Sequence, residues 1–371
     1  MNDEELFHVL ALLQVEGVGD VISKKLLAHC GSATFVFKAK TSQLASIDGI
    51  GSVLLKNLKD KSVFEKAESE MKFINANTIN VSYFLDDNYP ERLKHCIDGP
   101  VLLFSSGNID FQNRKTISIV GTRQITSYGT EFCKKLIADL APLNPIIISG
   151  FAYGVDIVAH QAAMEHNLQT VGVLAHGLNQ IYPKTHKKYV SKMEENGGFM
   201  TDFGVRPIRK ENFVKRNRIV AGISEATIVI ESADKGGSLI TATMANDYNR
   251  DVFAVPGRTT DKYSQGCNTL IKTQKANLLS SAADLIYMLN WDIGIASKTR
   301  NDKKSIQKQL FVSLDDEEQK IYTYLQKNGK ELLDTIALHC DFPIYKISGI
   351  LLNMELKGVI RPLPGKLFEA I

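Results

Sequence analysis

The stretch Ile146-Ile147-Ile148-Ser149-Gly150-Phe151-Ala152-Tyr153-Gly154-Val155-Asp156 carries the clearest structural signal in the chain. Its continuous apolar start, Ile146–Ser149, is typical of a strand that is buried on both faces of a sheet. The glycines that follow permit a tight turn, and the apolar residues of Ile157–Met164 recur at helical spacing. A strand, a glycine turn and a helix in this order predict one βα unit of a parallel sheet.

Similar units recur on both sides of this stretch, over residues 76–290. Continuous apolar strands alternate there with helical patterns, which predicts an α/β fold with a doubly wound, mostly parallel sheet. The predicted strands are Ile79–Leu85, Val101–Phe104, Ile117–Val120, Ile146–Ser149, Thr170–Leu174, Phe199–Asp202, Thr227–Glu231 and Val252–Val255. The predicted helices are Phe132–Leu140, Ile157–Met164, Tyr189–Glu195, Val214–Ile223 and Leu239–Tyr248.

Residues 1–75 predict a helical domain with an internal repeat. Val15-Glu16-Gly17-Val18-Gly19 and Ile47-Asp48-Gly49-Ile50-Gly51 lie 32 residues apart, and each predicts two helices joined by a glycine turn. This is the pattern of a helix-hairpin-helix or SAM-like module. Two interpretations stay open: the N–H groups after each turn hold a phosphate, or the glycines serve only to make the turns.

The last part of the chain divides into a basic linker at 291–309 and a small domain at 310–371. Ser297–Gln309 holds five basic residues, one acid and almost no apolar residue, which is typical of a flexible, solvated linker. Three helical patterns followed by a hairpin predict a winged helix: Asp315–Gln326, Glu331–His339 and Ile344–Lys357. Its third helix carries Lys346 and Lys357 but little other basic charge, so DNA and protein are equal alternatives as its partner.

The composition of the 371 residues excludes several classes of protein. There is no uninterrupted run of about 18 apolar residues, so a membrane-spanning helix is not expected. The acidic start Met1–Glu5 is unlike a signal peptide, and the five widely spaced cysteines favour reduced thiols in the cytoplasm. The net charge is only +3, so a nucleic-acid-binding surface has to be concentrated in one region.

Loops after the predicted strands hold the candidate phosphate-binding residues, because ligands of doubly wound sheets bind at the carboxyl ends of the strands. In Gly121-Thr122-Arg123 the glycine permits close backbone approach, the threonine offers a hydroxyl and the arginine can hold a phosphate. Ser149 and Gly150 are candidates for a second phosphate pocket. Gly236-Gly237-Ser238 either cradles a phosphate or only starts a helix. Neither a G-x-G-x-x-G motif nor a P-loop occurs, so dinucleotide and ATP binding are not expected.

Two polar residues follow the turn after Ile146–Ser149. Asp156 stands where a helix begins, and we interpret it as a helix cap rather than as a catalytic carboxylate. His160 lies one turn later on the same helix, and we interpret it as a packed, hydrogen-bonded histidine.

The segment Arg206-Pro207-Ile208-Arg209-Lys210-Glu211-Asn212-Phe213-Val214-Lys215-Arg216-Asn217-Arg218 concentrates the basic charge, with six basic residues, one acid and one aromatic. Cations follow a phosphate backbone, and a phenylalanine ring stacks on any base. The alternative is a surface loop and helix in which Phe213 packs inward and the arginines form ion pairs. The composition of the segment does not favour either the nucleic-acid-binding or the ion-pairing alternative.

Taken in order, these loops resemble the DprA/Smf family of DNA-processing proteins, most closely over residues 85–275. The matching motifs are Tyr89-Pro90 with Leu93, Asp98 to Pro100, Gly107, Ile119-Val120-Gly121-Thr122-Arg123, Tyr128-Gly129, Ser149-Gly150-x-Ala152-x-Gly154-x-Asp156, Ala159-His160, Gly177-Leu178, Tyr182-Pro183, Phe213, Arg216-Asn217-Arg218-Ile219, Lys235-x-Gly237-Ser238-Leu239-Ile240-Thr241-Ala242, Val255-Pro256-Gly257 and Gly266-x-Asn268-x-Leu270-Ile271. Each motif is short, and it is their order that is specific.

The resemblance implies an extended Rossmann domain that binds single-stranded DNA, forms a homodimer and helps to load the RecA recombinase on incoming DNA in natural transformation. By position, it implies that Arg123 and Lys210 contact phosphates and that Phe213 stacks on a base. Arg216 and Arg218 would complete the basic pocket. The chain departs from the family pattern at Thr201-Asp202 in place of Ser-Glu, at Gly236 in place of serine, and at Gln274-Lys275-Ala276 in place of Gly-Ala.

Two other functions compete with this interpretation. Phosphoribohydrolases of related folds carry Pro-Gly-Gly-x-Gly-Thr-x-x-Glu, whereas no glutamate follows Asp234–Ser238 within Ile240–Thr243. We therefore expect a non-enzymatic protein with no catalytic residue, no cofactor and no metal. A winged-helix transcription regulator would instead bind duplex DNA tightly and sequence-specifically through residues 310–371.

Overall fold

Nine strands form one sheet in the first of two units, Met1–Ile293 and Gly294–Ile371. The structure, a computed structural model, describes residues 1–112, 114–205, 208–291, 314–357, 359–363 and 367–370. Strands β1 to β9 are Asn80–Tyr83, Leu102–Gly107, Thr116–Val120, Ile146–Ser149, Thr170–Val173, Gly197–Thr201, Ala226–Val229, Asp251–Ala254 and Asn277–Leu278. All eight predicted strands are present, and β9 adds a ninth strand of two residues.

The sheet has the order β1-β2-β6-β5-β4-β3-β7-β8-β9. The pairs β1/β2 and β2/β6 are antiparallel and all other pairs are parallel, which confirms the predicted doubly wound, mostly parallel sheet. The chain runs outward from β3 to β6 on one side and then crosses back to β7 on the other side of β3. The loops after β3 and β7 therefore flank the point at which the strand order reverses, where such sheets bind ligands.

Helices cover both faces of this sheet and confirm the five predicted ones. Helices α7 to α14 are Glu91–Lys94, Ser127–Leu140, Val155–Glu165, Val190–Glu195, Lys210–Ile223, Gly237–Asp247, Gln265–Lys272 and Ala282–Met288, with short 3-10 helices at Ala141–Leu143 and Lys184–Tyr189. Two helix starts are corrected: α8 begins at Ser127 rather than at Phe132, and α11 begins at Lys210 rather than at Val214. The second half of the basic segment is therefore helical and not part of a loop.

Strand β4 shows why the isoleucine run predicts a buried strand. Side chains alternate between the faces of a strand, so Ile146 and Ile148 enter one core while Ile147 enters the other. The first core lies under α11 and α12, with Ile219 and Ala242 among its members. All three isoleucines are fully buried, and burial of such a side chain contributes about 1.5–3 kcal/mol.

The N-terminal helices pack on the antiparallel edge of the same sheet. Helices α1 to α6 are Asp3–Gln14, Asp20–Cys30, Ala33–Lys38, Thr41–Leu44, Ser52–Asn57 and Ser62–Ala76. The two repeated turns lie between helices, and Gly17 and Gly49 adopt φ of +87° and +88°, a conformation that favours glycine. Tyr83 and Leu102 of the sheet share one core with these helices. The predicted boundary at 75 stays a prediction, since helices and sheet form one compact unit.

The second unit is the predicted winged helix. Helices α15 to α17 are Asp316–Asn328, Leu333–His339 and Ile344–Leu356, and strands β10 to β12 are Glu331–Leu332, Ile360–Leu363 and Leu367–Ala370. The strands form an antiparallel sheet in the order β10-β12-β11. The linker predicted at 291–309 lies outside the described residues from 292 onward. Among the described helices, none has the length and apolar character needed to cross a bilayer.

Candidate nucleic-acid interface

A cavity of about 480 Å³ opens at the carboxyl ends of β3, β4 and β7. It lies at the reversal of strand order, with the side of α11 forming one wall. Its lining residues are Val120, Gly121, Thr122, Arg123, Gln124, Ala152, Asp156, Phe213, Val214, Arg216, Asn217, Ala233, Gly236, Gly237, Ser238, Ile240 and Thr241. Loops that are distant in sequence thus converge on one concave site.

The Gly121-Thr122-Arg123 loop is held between the loop after β7 and the start of α9. The Thr122 N–H donates to the carbonyl of Glu231 at 2.7 Å, and the Val155 N–H donates to the carbonyl of Thr122 at 3.1 Å. A Cβ at position 121 would lie within 3 Å of the Val155 side chain and of the Glu231 carbonyl. Only glycine permits this approach, so the loop geometry depends on Gly121.

Arg123 and Phe213 meet at the edge of the cavity. The Arg123 guanidinium lies 5.5 Å from the centre of the Phe213 ring, within range of a cation–π contact. Tyr182 packs edge-on against the same ring, with 5.8 Å between ring centres. Arg123 is exposed and forms no ion pair with any carboxylate of the described residues. An exposed cation and an aromatic face are therefore available side by side.

Arg216 supplies a buried positive charge at the cavity. Its Nη1 donates to the carbonyl of Gly150 at 2.6 Å and to the carbonyl of Val173, and its Nε donates to Asn217 Oδ1 at 3.2 Å. Burial lowers the pKa of this guanidinium, while the nearby carboxylate of Asp156 opposes that shift. Backbone carbonyls thus hold the Arg216 guanidinium in place, and its positive charge acts on the cavity from this fixed position.

The N-terminus of α12 forms the opposite wall. Gly236 is the residue before the helix, Gly237 is its first residue, and both line the cavity. The first N–H groups of a helix lack partners within the helix and carry partial positive charge, which favours an anion. The Ser238 hydroxyl donates to Ser232 Oγ at 2.9 Å, so it stabilises the turn. The cavity therefore combines a helix N-terminus with two arginines.

Residues 80–290 match the family model described as DNA recombination-mediator protein A. The chain belongs to this family. Residues 309–366 match the model of the family's winged-helix domain. The Synechocystis protein Smf is 32% identical over 290 residues, which are 76% of this chain and 72% of that protein.

Two solved structures of the family are similar to this one. DNA processing protein A of Streptococcus pneumoniae has a TM-score of 0.64 and 29% identity, covering 76% of this chain and 96% of that chain. DNA processing protein A of Helicobacter pylori, solved for its single-stranded DNA binding mode, has a TM-score of 0.51 and 26% identity. That match covers 57% of this chain and 95% of the other.

The structure brings most of the predicted site residues together. Gly121, Thr122, Arg123, Phe213, Arg216, Gly236, Gly237 and Ser238 all line the cavity. Lys210 does not line it but lies exposed at the first residue of α11, about one turn before Phe213. Arg206, the first residue of the basic segment, lies outside the described residues.

Ser149 and Gly150 lie behind the cavity rather than in its lining. The Ser149 hydroxyl is fully buried and donates to the carbonyl of Ile119 at 2.6 Å. A Cβ at position 150 would collide with the guanidinium of Arg216, so this glycine makes room for the arginine. The candidate phosphate pocket at these two residues is therefore corrected to a supporting role.

Arg218 does not belong to the basic pocket, contrary to what the resemblance implies. The residue was expected to complete the basic pocket, but it contacts Asp20, Asp202 and the carbonyl of Asp98 instead. Successive residues of a helix are about 100° apart, so Arg218 points roughly opposite to Arg216. Of the two alternatives for the basic segment, ion pairing thus applies to Arg218, while Phe213 and Arg216 face the cavity.

His160 is the packed, hydrogen-bonded histidine that the sequence predicts, whereas Asp156 is not the predicted helix cap, because it is the second residue of α9 and no side chain caps this helix. Gly154 is the residue before α9, and Asp156 in the first turn accepts the Ala152 N–H at 3.2 Å. Burial raises the pKa of Asp156, while Arg216 opposes that rise. His160 is fully buried and its Nδ1 lies 2.7 Å from Thr170 Oγ1. Burial lowers the pKa of His160 to about 3.

The departures from the family pattern are accommodated locally. A Cβ at position 236 would collide with Ser232 Oγ, so Gly236 suits this turn better than serine does. Thr201 is buried and donates to the carbonyl of Leu174 at 3.2 Å. Asp202 pairs with Arg218. None of these contacts disturbs Arg123 or Phe213.

Tyr182 and Asn217 are site residues that the residue-by-residue predictions omitted. Tyr182 occurs in the Tyr182-Pro183 motif, but only the fold places it against Phe213. Asn217 lies four residues after Phe213, and residues at this spacing share one face of a helix. A prediction that α11 begins at Lys210 would have placed Asn217 on the same helix face as Phe213 and so added Asn217 to the site.

The outer modules show little that points to duplex DNA. Asp20, directly after the first glycine turn, is bonded to the Val101 N–H and to Arg218, which favours the interpretation of this turn as purely structural. In the winged helix, Lys346 pairs with Glu317, Lys357 pairs with Glu318 at 2.5 Å, and Arg361 pairs with Glu369. These cations must leave their own carboxylates before they can hold a phosphate.

Proposed function

We propose that this chain binds single-stranded DNA at the cavity and acts as a recombination mediator on incoming DNA in natural transformation. The observation that carries the proposal is the placement of the exposed Arg123 guanidinium 5.5 Å from the Phe213 ring at the mouth of the cavity. A phosphate enters between Arg123 and the N-terminus of α12, and the adjoining base stacks on Phe213. Lys210, one turn away, holds a neighbouring phosphate.

The geometry favours a single strand over a duplex. An aromatic side chain can stack on a base only where that base is not already stacked and paired in a helix. The cavity of about 480 Å³ can take part of a single strand but not a duplex, whose major groove alone is about 12 Å wide. Stacking on Phe213 also makes binding tolerant of sequence, as a mediator requires.

Binding of a labelled oligothymidine, measured by fluorescence anisotropy, tests this proposal. Arg123→Ala and Phe213→Ala should each weaken binding at least about fivefold, because each removes a contact worth about 1–3 kcal/mol. Lys135→Ala and Tyr287→Ala are matched controls, since these exposed residues lie on α8 and α14 outside the cavity. Wild-type affinity in both cavity variants would overturn the proposal.

A duplex of the same length in the same assay separates the mediator from a transcription regulator. A mediator prefers the single strand, and the preference is lost with Phe213→Ala. Tight, sequence-specific duplex binding that survives Phe213→Ala would instead assign DNA binding to the winged helix.

The proposed mediator acts as a homodimer that presents the strand to the RecA recombinase. Strand β9 is at the edge of the sheet, and its Leu278 is 48% exposed, so this edge offers apolar surface to a second copy. Two cavities can then align along one strand. Light scattering measures the oligomeric state, and co-precipitation with purified RecA measures the partner. A monomer at micromolar concentration, or no RecA retained, would overturn the respective part.

A nucleotide-processing reaction is the alternative that one observation favours. Asp156 is the only carboxylate among the described residues that line the cavity. Incubation with nucleoside monophosphates measures release of the base. Release above background that is lost in Asp156→Asn would replace the binding function by an enzymatic one.

A further inference from the structure

Two carboxylates of the N-terminal helices contact the chain on either side of the cavity residues of α11. Asp20 is the first residue of α2, and Glu70 lies in α6. Both helices precede the sheet in sequence, and neither contributes a residue to the cavity lining among the described residues.

The first contact is with Arg218, within α11. One oxygen of Asp20 accepts from Arg218 Nη2 at 2.9 Å, and the other accepts the Val101 N–H at 2.8 Å. The Arg218 side chain is 11% exposed and that of Asp20 is 22% exposed, so water screens this pair only partly. Asp202 binds the same guanidinium, which is therefore held between two carboxylates.

The second contact lies upstream of α11. Both oxygens of Glu70 accept the Val205 N–H, at 3.1 and 3.0 Å, and Glu70 is only 7% exposed. A Cβ at position 204 would lie 2.6 Å from a carboxylate oxygen of Glu70, so Gly204 makes room for this contact. The carboxylate therefore fixes the backbone just before the basic segment begins.

The two contacts bracket the side chains that face the cavity. Phe213 and Arg216 lie between Val205 and Arg218 in sequence. The helix rises about 1.5 Å per residue, so Arg218 is about 7.5 Å along the axis from Phe213. Rotation or sliding of α11 would move Phe213 relative to Arg123 and would break the contacts with Asp20. The position of the stacking ring is thus tied to the N-terminal helices.

We propose that the N-terminal helical module positions the binding face of α11, with Asp20 and Glu70 as its positioning residues. This inference rests on the proposed single-strand binding. Coupling between two sites is reciprocal. A bound strand therefore tightens the contacts that Asp20 and Glu70 make.

Affinity for oligothymidine in the full chain tests the first half of the coupling. Asp20→Ala and Glu70→Ala should each weaken binding roughly 5- to 20-fold, within the range of typical coupling energies. Asp48→Ala and Glu68→Ala are matched controls, because both carboxylates are exposed and, among the described residues, form ion pairs only with Lys25 and Lys72 of the N-terminal helices. Glu70→Gln keeps an acceptor for the Val205 N–H and should restore most of the affinity.

Hydrogen exchange in the wild-type chain tests the second half. Saturating oligothymidine should slow exchange of the Val101 and Val205 amides, whose acceptors are Asp20 and Glu70. The Ala33 amide, bonded to Glu5 within the module, should exchange at an unchanged rate. A purely structural role of the two carboxylates predicts no change at any of these amides.

The outcomes separate this inference from the function on which it rests. If Arg123→Ala and Phe213→Ala bind like the wild type, both proposals fail. If those variants lose binding while folded Asp20→Ala and Glu70→Ala retain wild-type affinity, only the positioning inference is overturned. If Asp20→Ala does not fold, Glu70→Ala and the exchange measurement decide, and unchanged exchange at Val101 and Val205 overturns it.

Discussion

Arg123 at the central cavity differs from three cations of the winged helix in whether a carboxylate already pairs with it. At the cavity Arg123 is exposed, forms no ion pair with a described carboxylate and lies over an aromatic ring. In the winged helix three cations are paired with acids of the same unit: Lys346, Lys357 and Arg361. The number of basic residues in a region therefore does not identify a phosphate site. What matters is whether a cation already has a partner.

Removing one cation from each region tests this comparison directly. Arg123→Ala should weaken oligothymidine binding about 10- to 100-fold, because a charge-assisted contact with phosphate is worth about 1.5–3 kcal/mol. Lys346→Ala removes the same charge from the winged helix and should leave the affinity within about twofold, since that charge is already paired with Glu317. Anisotropy titrations measure both values. Equal losses in the two variants would contradict the comparison.

Acid should affect the first unit more than the winged helix. The folded state holds the pKa of His160 at about 3, whereas an unfolded chain takes up this proton near pH 6.5. The free energy of unfolding of the first unit therefore falls as pH drops below about 6.5, by about 2 kcal/mol at pH 5 from this residue alone. Burial also lowers the pKa of His176 and His186, which act in the same direction.

Urea unfolding at a series of pH values measures this effect. His160→Gln should flatten the dependence between pH 6.5 and 5. The winged helix, whose single histidine His339 is exposed, serves as the internal control. An unchanged slope in the variant would contradict the assignment.

Salt provides a finer comparison of single charges. Lys210→Ala should weaken single-strand binding roughly threefold to tenfold and reduce the slope of log K against log salt by about 0.7, the value for one phosphate contact on a single strand. Lys357→Ala, in which the lost cation is paired with Glu318, should leave the slope unchanged. Titrations at several sodium chloride concentrations give both slopes, and a matching decrease in the two variants would remove the distinction between paired and unpaired cations.

The smallest expected effects come from one glycine of each region. Gly236→Ala places a Cβ against Ser232 Oγ and should cost about 1 kcal/mol, because Ser232 must leave its bond with Ser238. Gly349→Ala, inside α17 with no atom near the added Cβ, should instead stabilise the winged helix by about 0.5–1 kcal/mol. Thermal unfolding measures the expected loss of stability in Gly236→Ala and the expected gain in Gly349→Ala. Adding Ser232→Ala should remove the cost at 236, and failure of that rescue would assign the cost elsewhere.

Much of the fold could be predicted because its signals are local. The run Ile146–Ser149 predicts a strand buried on both faces, and alternating strands and helices predict the doubly wound sheet. Strand β9 was missed because two residues are too few to show a pattern. The start of α11 was missed because the polar residues from Lys210 to Asn212 have no apolar periodicity.

The site could be predicted only in part because side-chain direction depends on distant residues. Arg216 and Arg218 are alike in sequence, and both belong to one basic run. They point in roughly opposite directions because they are two residues apart on helix α11. Asp20, which lies 198 residues from Arg218 in sequence, binds Arg218 on the side away from the cavity. Gly121, Thr122 and Arg123 could be predicted because they follow a strand, and ligands of a doubly wound sheet bind at the carboxyl ends of its strands. Tyr182 was omitted because nothing local joins it to Phe213.

The cavity takes residues from Val120 to Thr241, on strands that are neighbours in space but far apart along the chain. A growing polypeptide on the ribosome has already made the N-terminal helices, β3 and the Gly121-Thr122-Arg123 loop before α11 and α12 exist. Arg123 has no Phe213 beside it until α11 has left the exit tunnel, and no helix N-terminus beside it until α12 has followed. Nascent chains therefore carry no complete cavity, and the proposed binding of a strand requires that the strands from β3 to β7 and helix α12 have all been made and folded.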